Sequence, residues 1–169
     1  MLRISDPLTV SAIAAAGALS TAVDLRVRRI PNVLTGTITV GGFVAAISGW
    51  SSLTPMEAAA GLAVGLVVML PGHAIGATGA GDVKLFAAIG TWLGPSATLL
   101  AFLYTAIAGG ALAVLVALRR RILHDTVARA ATLVSSGGAN VPDIEASRIN
   151  RFAYAPAIAI GTLAAALGL

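Results

Sequence analysis

The chain has 169 residues, of which 57% are hydrophobic and only 11% charged. Soluble domains carry about 25% charged residues, so this composition excludes a water-soluble globule and predicts an all-α, polytopic membrane bundle. The lack of cysteine excludes disulfides and thiolate metal sites, and two histidines, His73 and His124, argue against a zinc centre.

Six spans are predicted in chain order. The first runs from about Pro7 to Val23, with proline in the first turn, where its missing N–H costs nothing. The second covers Val33 to Trp50 and the third Met56 to Leu70, where Pro71–Gly72 should break the helix. A fourth, Val83 to Gly94, has about twelve residues, near 18 Å against a hydrocarbon core of about 30 Å. "GP" at 94–95 stops it. Ser96 to Leu118 is the fifth and longest span, closed by "RRR" at 119–121, and Phe152 to Leu169 is the sixth. The retained first helix is preferred over a cleaved signal peptide, because only Arg3, set against Asp6, precedes it.

The short third and fourth spans make the connection from Pro71 to Gly81 dip towards the membrane. Irregular backbone survives there only where protein buries it or water borders it, so a wet pocket is expected. Residues 122–134 read as an interfacial amphipathic helix anchored by Ile122, Leu123, Val127, Leu133 and Val134, followed by a flexible "SSGGANVP" linker. No polar linker divides the chain, so residues 1–169 read as one domain with a cytoplasmic or interfacial connection at about 119–151.

On this ladder Arg26, Arg28, Arg29, Lys84, Arg119, Arg120, Arg121, Arg129, Arg148 and Arg151 all fall on one side, and Arg3 alone on the other. The positive-inside rule then puts both termini outside the cytoplasm. The +4 net charge and the pI near 10.7 are thus a topology signal helped by anionic lipid, and no nucleic-acid partner is expected.

Asp24 ends span one and Asp82 opens span four, 58 positions apart yet at the same predicted depth. Two carboxylates beside a glycine-rich dip suit an acid–base pair that shares one proton. Position alone also fits plainer roles. Asp24 serves as a boundary residue and Asp82 as a helix cap. "RIPN", with Pro31, serves as a turn that launches span two. Arg29 fits a topology charge, Lys84 a snorkelling one and His73 an interfacial filler.

Two segments weigh further: "VDLRVRRIPNVLT" at 23–35 and "GATGAGDVKLFAAIGTWLGP" at 76–95. They resemble the signature regions of the type IV prepilin peptidases, GxGD-type aspartic membrane proteases. "RFAYAPAIAIGTLAA" at 151–165 is similar to that family's final helix. The resemblance implies catalytic aspartates at Asp24 and Asp82, with Gly79 and Gly81 as the motif glycines. Positive φ at these glycines would let a substrate strand approach. Arg29, Pro31, Asn32 and Lys84 are the supporting or substrate-binding candidates. It further implies an inner-membrane endopeptidase without metal or organic cofactor. Its partners are prepilins or pseudopilins with a basic leader and an apolar helix, cut at the cytoplasmic face. Longer members carry a cysteine-bearing region linked to N-methylation. Here about nine residues, 24–32, join spans one and two, so methyltransferase activity is not expected. The short form resembles peptidases of tight-adherence (Flp) pilus systems. The competing reading is a small proton-coupled transporter using the same aspartates as a relay. Deeper carboxylates and internal duplication would favour it, and neither is evident.

Overall fold

A computed structural model of the chain describes residues 6–119 and 154–169. Every element among them is helical: α1 (Pro7–Val27), α2 (Asn32–Ile47), α3 (Pro55–Ala74), α4 (Ala80–Arg119) and α5 (Ala155–Ala166). By length and composition α1, α3 and α4 suffice to cross a membrane, while α2 and α5 are apolar but shorter. Leu19, Val40, Ile47, Val67, Leu103 and Ile107 are exposed, which suits a lipid-facing surface. This is a membrane protein. The predicted interfacial helix, the linker and the basic residues from Arg120 to Arg151 lie outside the described residues.

The helix starts follow from local chemistry. Asp6 caps α1, accepting from the Thr9 N–H at 2.8 Å and the Thr9 hydroxyl at 3.0 Å, with Pro7 next in line. The same carboxylate accepts from the Ser52 N–H at 3.3 Å, tying this cap to the α2–α3 turn. Thr54 and Glu57 form a reciprocal capping box at the start of α3.

The predicted break at Pro71 does not occur. α3 runs on to Ala74, giving 20 residues and about 30 Å, enough to span. Pro71 sits in the last turn, where its missing N–H removes one bond and its carbonyl still accepts from the Ile75 N–H at 3.2 Å. The irregular connection therefore shrinks to residues 75–79.

The predicted stop at "GP" is a sharp bend. Gly94 (φ 73°, ψ 175°) leaves helical geometry inside α4, and Pro95 follows. In a straight helix the 16 residue steps from Phe86 to Phe102 would span about 24 Å. Their ring centroids lie 6.3 Å apart, edge to face at 77°. α4 therefore folds back on itself as two arms, 80–93 and 95–119.

The first arm packs on α3 through its smallest residues. A Cβ on Gly61 would collide with the Gly90 carbonyl, one on Gly90 would meet Gly61 in return, and one on Gly65 would lie 2.8 Å from the Ala87 Cα. Such backbone-to-backbone approach is how apolar helices gain contact in lipid, where burial from water gives little. The second arm packs on α5, where Gly161 lies against Thr105. α5 also packs on α1, with a Cβ on Gly17 only 2.9 Å from that of Ala159. Ile13, Phe86, Leu85, Ile89 and Ile158 are almost wholly buried at the centre of this arrangement.

Candidate active site

α1 ends through an unusual device. Arg28 takes a left-handed conformation (φ 53°, ψ 30°) and its N–H returns to the Asp24 carbonyl at 2.8 Å. That closure turns the chain into the Arg29–Pro31 link, where Pro31 (φ −64°, ψ 140°) opens α2 and its carbonyl receives the N–H groups of Leu34 and Thr35. Asp24 itself is buried, on the face of α1 that meets α5. Its Oδ2 lies 3.4 Å from the Ala155 N–H, one of the donors that the start of α5 leaves without an intrahelical partner.

Asp82 sits three residues after Gly79 in the first turn of α4 and is half-buried. Its Oδ2 accepts from the Gly79 N–H at 3.0 Å, so the carboxylate caps its own helix. The capping role weighed from sequence is therefore realised, and it leaves the carboxylate at the helix end where negative charge is favoured. The loop before it is tied rather than slack. Ala77 and Thr78 donate to the Gly72 carbonyl, and the His73 Nδ1 lies 3.1 Å from the Thr78 carbonyl oxygen.

The two motif glycines act differently from expectation. Positive φ occurs at Gly76, not at Gly79 or Gly81. Instead, a Cβ on Gly79 would lie 3.0 Å from the Asp82 Oδ2, and one on Gly81 would lie 3.3 Å from the Ile30 Cβ. The glycines make room for a carboxylate and for a neighbouring loop.

Gly81 against Ile30 joins the two signature segments directly. One turn on, the Lys84 Nζ donates to the Asn32 Oδ1 at 3.1 Å, spanning 52 positions of sequence. Lys84, Asn32 and Pro31 are exposed at this junction, as is Arg29. Of the sequence candidates, then, Gly79, Gly81, Asp82, Lys84 and Asn32 gather around one junction, while Asp24 faces the start of α5.

Sequence reasoning missed Ile30, Tyr154 and Ala155. Tyr154 occupies the position just before α5 and its ring is seated over Gly109. Its neighbour Ala155 faces Asp24. The final helix had been singled out only by resemblance, and no periodicity links position 154 to position 24 or 82.

Residues 10–114 match the type IV leader peptidase family. The chain belongs to that family. The match covers more than half of the chain, including both signature segments and all of α1 to α3 except the first three residues of α1. Comparison with curated proteins and with solved structures gave no match. Membership in a leader peptidase family makes the chain a membrane-bound protease, a hydrolase of the prepilin peptidase kind, and leaves the transporter reading without support.

Proposed function

We propose that this leader peptidase is an aspartic-type endopeptidase with Asp24 and Asp82 as its catalytic pair. The observation that carries the reading is the meeting of the two signature segments. Gly81 rests on Ile30 and Lys84 binds Asn32, beside Asp82 in the first turn of α4, while Asp24 is buried against the start of α5.

In this mechanism the pair shares one proton. The ionised member takes a proton from water as the oxygen attacks the scissile carbonyl carbon; the protonated member passes its proton to the carbonyl oxygen. A tetrahedral diol results. Its collapse breaks the C–N bond: one carboxyl proton passes to the departing amine while the other carboxylate takes a proton from a diol hydroxyl, which restores the shared-proton state. The proton belongs to the pair, so neither role is assigned to one residue.

The substrates in this reading are prepilins or pseudopilins with a basic leader and an apolar helix. The helix enters from lipid and the leader reaches the junction at the cytoplasmic face of the bacterial inner membrane. The positive-inside distribution of Arg26, Arg28, Arg29 and Lys84 supports that orientation. The two arms of α4 cross separately in this topology, giving six spans. N-methylation of the product is not part of the proposed activity.

The test is cleavage of a prepilin in reconstituted vesicles by wild type, Asp24→Asn and Asp82→Asn. Asparagine keeps the size but cannot pass the proton, so each variant should lose at least about a thousandfold in rate. Normal cutting by either folded variant would sink the reading.

A further inference from the structure

Each aspartate is held by a backbone N–H at the start of a helix, but only Asp82 finds that donor in its own helix. The Gly79 N–H reaches the Asp82 Oδ2 at 3.0 Å. Asp24 lies near the end of α1, where the N–H groups already donate to carbonyls one turn back. Its Oδ2 instead meets the Ala155 N–H of α5 at 3.4 Å, across 131 positions of sequence. Asp24 is 7% exposed and Ala155 0%. A carboxylate removed from water is costly unless a donor reaches it, so a foreign helix start is what makes this burial tolerable. Catalytic hydrogen bonds are often long before substrate binds and shorten in the working complex.

Packing fixes that donor on both sides. Before it, the Tyr154 ring sits so close to Gly109 that a Cβ there would fall 2.6 Å from the Tyr154 Cε2. One turn after it, a Cβ on Gly17 of α1 would lie 2.9 Å from the Ala159 Cβ. The start of α5 is therefore placed by its neighbours, and the Asp24 side chain adjusts to it rather than the reverse.

We propose that Ala155 is a positioning residue of the active site: its backbone N–H holds the Asp24 Oδ2 and leaves Oδ1 to exchange protons with water and substrate. This rests on the aspartic-protease reading and extends it to α5, beyond the residues that match the family. Gly79 holds Asp82 in the same manner, so two main-chain donors set the relative orientation of the pair.

The experiment uses the full chain in lipid nanodiscs with two readouts. Tyr154–Ala155 is the one Tyr–Ala step in the sequence. Tyrosine labelled at the carbonyl carbon and alanine labelled at nitrogen therefore isolate the Ala155 amide as a single NMR resonance. Asp24→Asn should shift it, and Asp6→Asn, at the far end of α1, should not. The second readout is prepilin cleavage after Ala155 is replaced by its α-hydroxy acid, which puts an ester oxygen where the N–H was and keeps the methyl group. That change should lower kcat about tenfold and leave KM within about twofold. The same replacement at Ile158 removes its 3.1 Å bond to the Tyr154 carbonyl but keeps the Ala155 donor, so kcat per folded molecule should stay near wild type. A resonance that Asp24→Asn leaves in place, an Ala155 ester with wild-type kcat, or equal losses in the two esters overturns the proposal. Normal cleavage by Asp24→Asn or Asp82→Asn would instead overturn the protease reading, while the resonance would still judge the contact between Ala155 and Asp24.

Discussion

The first arm of α4 holds two contacts of opposite character within about ten residues. At its start, Asp82 receives the Gly79 N–H, Lys84 binds Asn32 and Gly81 rests on Ile30. Further along, Ala87 and Gly90 meet Gly65 and Gly61 of α3 with little but backbone between them. The seam tolerates almost no added volume and has no polar group to lose. The junction is held by directed polar contacts, and in the proposed mechanism its chemistry depends on where two carboxylates point. Stability and activity should therefore separate along a single helix.

The largest expected effect comes from breaking the seam. Gly90→Leu puts a branched side chain where even a Cβ would strike Gly61, so α3 and α4 must part. Overpacking of this kind costs about 3 kcal/mol. Thermal unfolding in detergent should show a large fall in Tm, with activity lost in proportion to folded protein. An unchanged Tm would mean that the helices do not approach this closely.

Gly79→Ala strikes the junction instead. Its Cβ would lie 3.0 Å from the Asp82 Oδ2, so the carboxylate must shift by a few tenths of an ångström while α4 remains packed. Misplacement of a reacting group by about 1 Å can cost roughly a hundredfold. A loss of about tenfold in kcat with Tm nearly unchanged is expected. If Tm falls and kcat per folded molecule does not, Gly79 belongs with the seam rather than with the chemistry.

The Lys84–Asn32 contact sits between these extremes. Lys84→Met and Asn32→Ala each remove one partner of an exposed bond, and a double-mutant cycle should yield a coupling of about 1 kcal/mol or less. The same pair should raise KM if it also shapes the substrate groove. Strict additivity would show that the two signature segments are joined by Gly81 and Ile30 alone.

Much of this was legible in the sequence, because the deciding features were local. Pro7, Thr54–Glu57 and "GP" at 94–95 are start and stop signals whose chemistry acts within a few residues, and the helices respect them. Pro71 misled for a local reason too: proline ends a helix only when it removes a bond that the helix needs, and in the last turn little depends on it. The aspartates could be singled out because their two segments carry recognisable motifs. Lys84 against Asn32 and Ala155 against Asp24 could not be read. Each pairs residues brought together by tertiary packing, and neither spacing follows a helical period. The role of the motif glycines was equally hidden, because a glycine needed for space looks the same in sequence as one needed for a positive φ.

The smallest effect tests whether the far cap of α1 is independent of the junction. Asp6 caps α1 at the end opposite Asp24 and also receives the Ser52 N–H. Burial alone would raise its carboxyl, but hydrogen bonds from the Thr9 backbone, the Thr9 hydroxyl and the Ser52 backbone outweigh that and hold it below the ordinary 3.8. A lowered carboxyl means that the unfolded chain binds the proton more readily than the folded one. The cap's contribution is therefore complete above about pH 4 and lost as the pH falls through the folded value. Asp6→Ala should cost about 1 kcal/mol near neutrality, and its Tm should converge on wild type in acid. Cleavage at neutral pH should stay unchanged, since α1 is anchored on α5 through Gly17 and Ala159 between the two ends. A drop in kcat with the fold intact would show that strain at the cap travels along α1 to Asp24, and the two ends of that helix would have to be treated as one device.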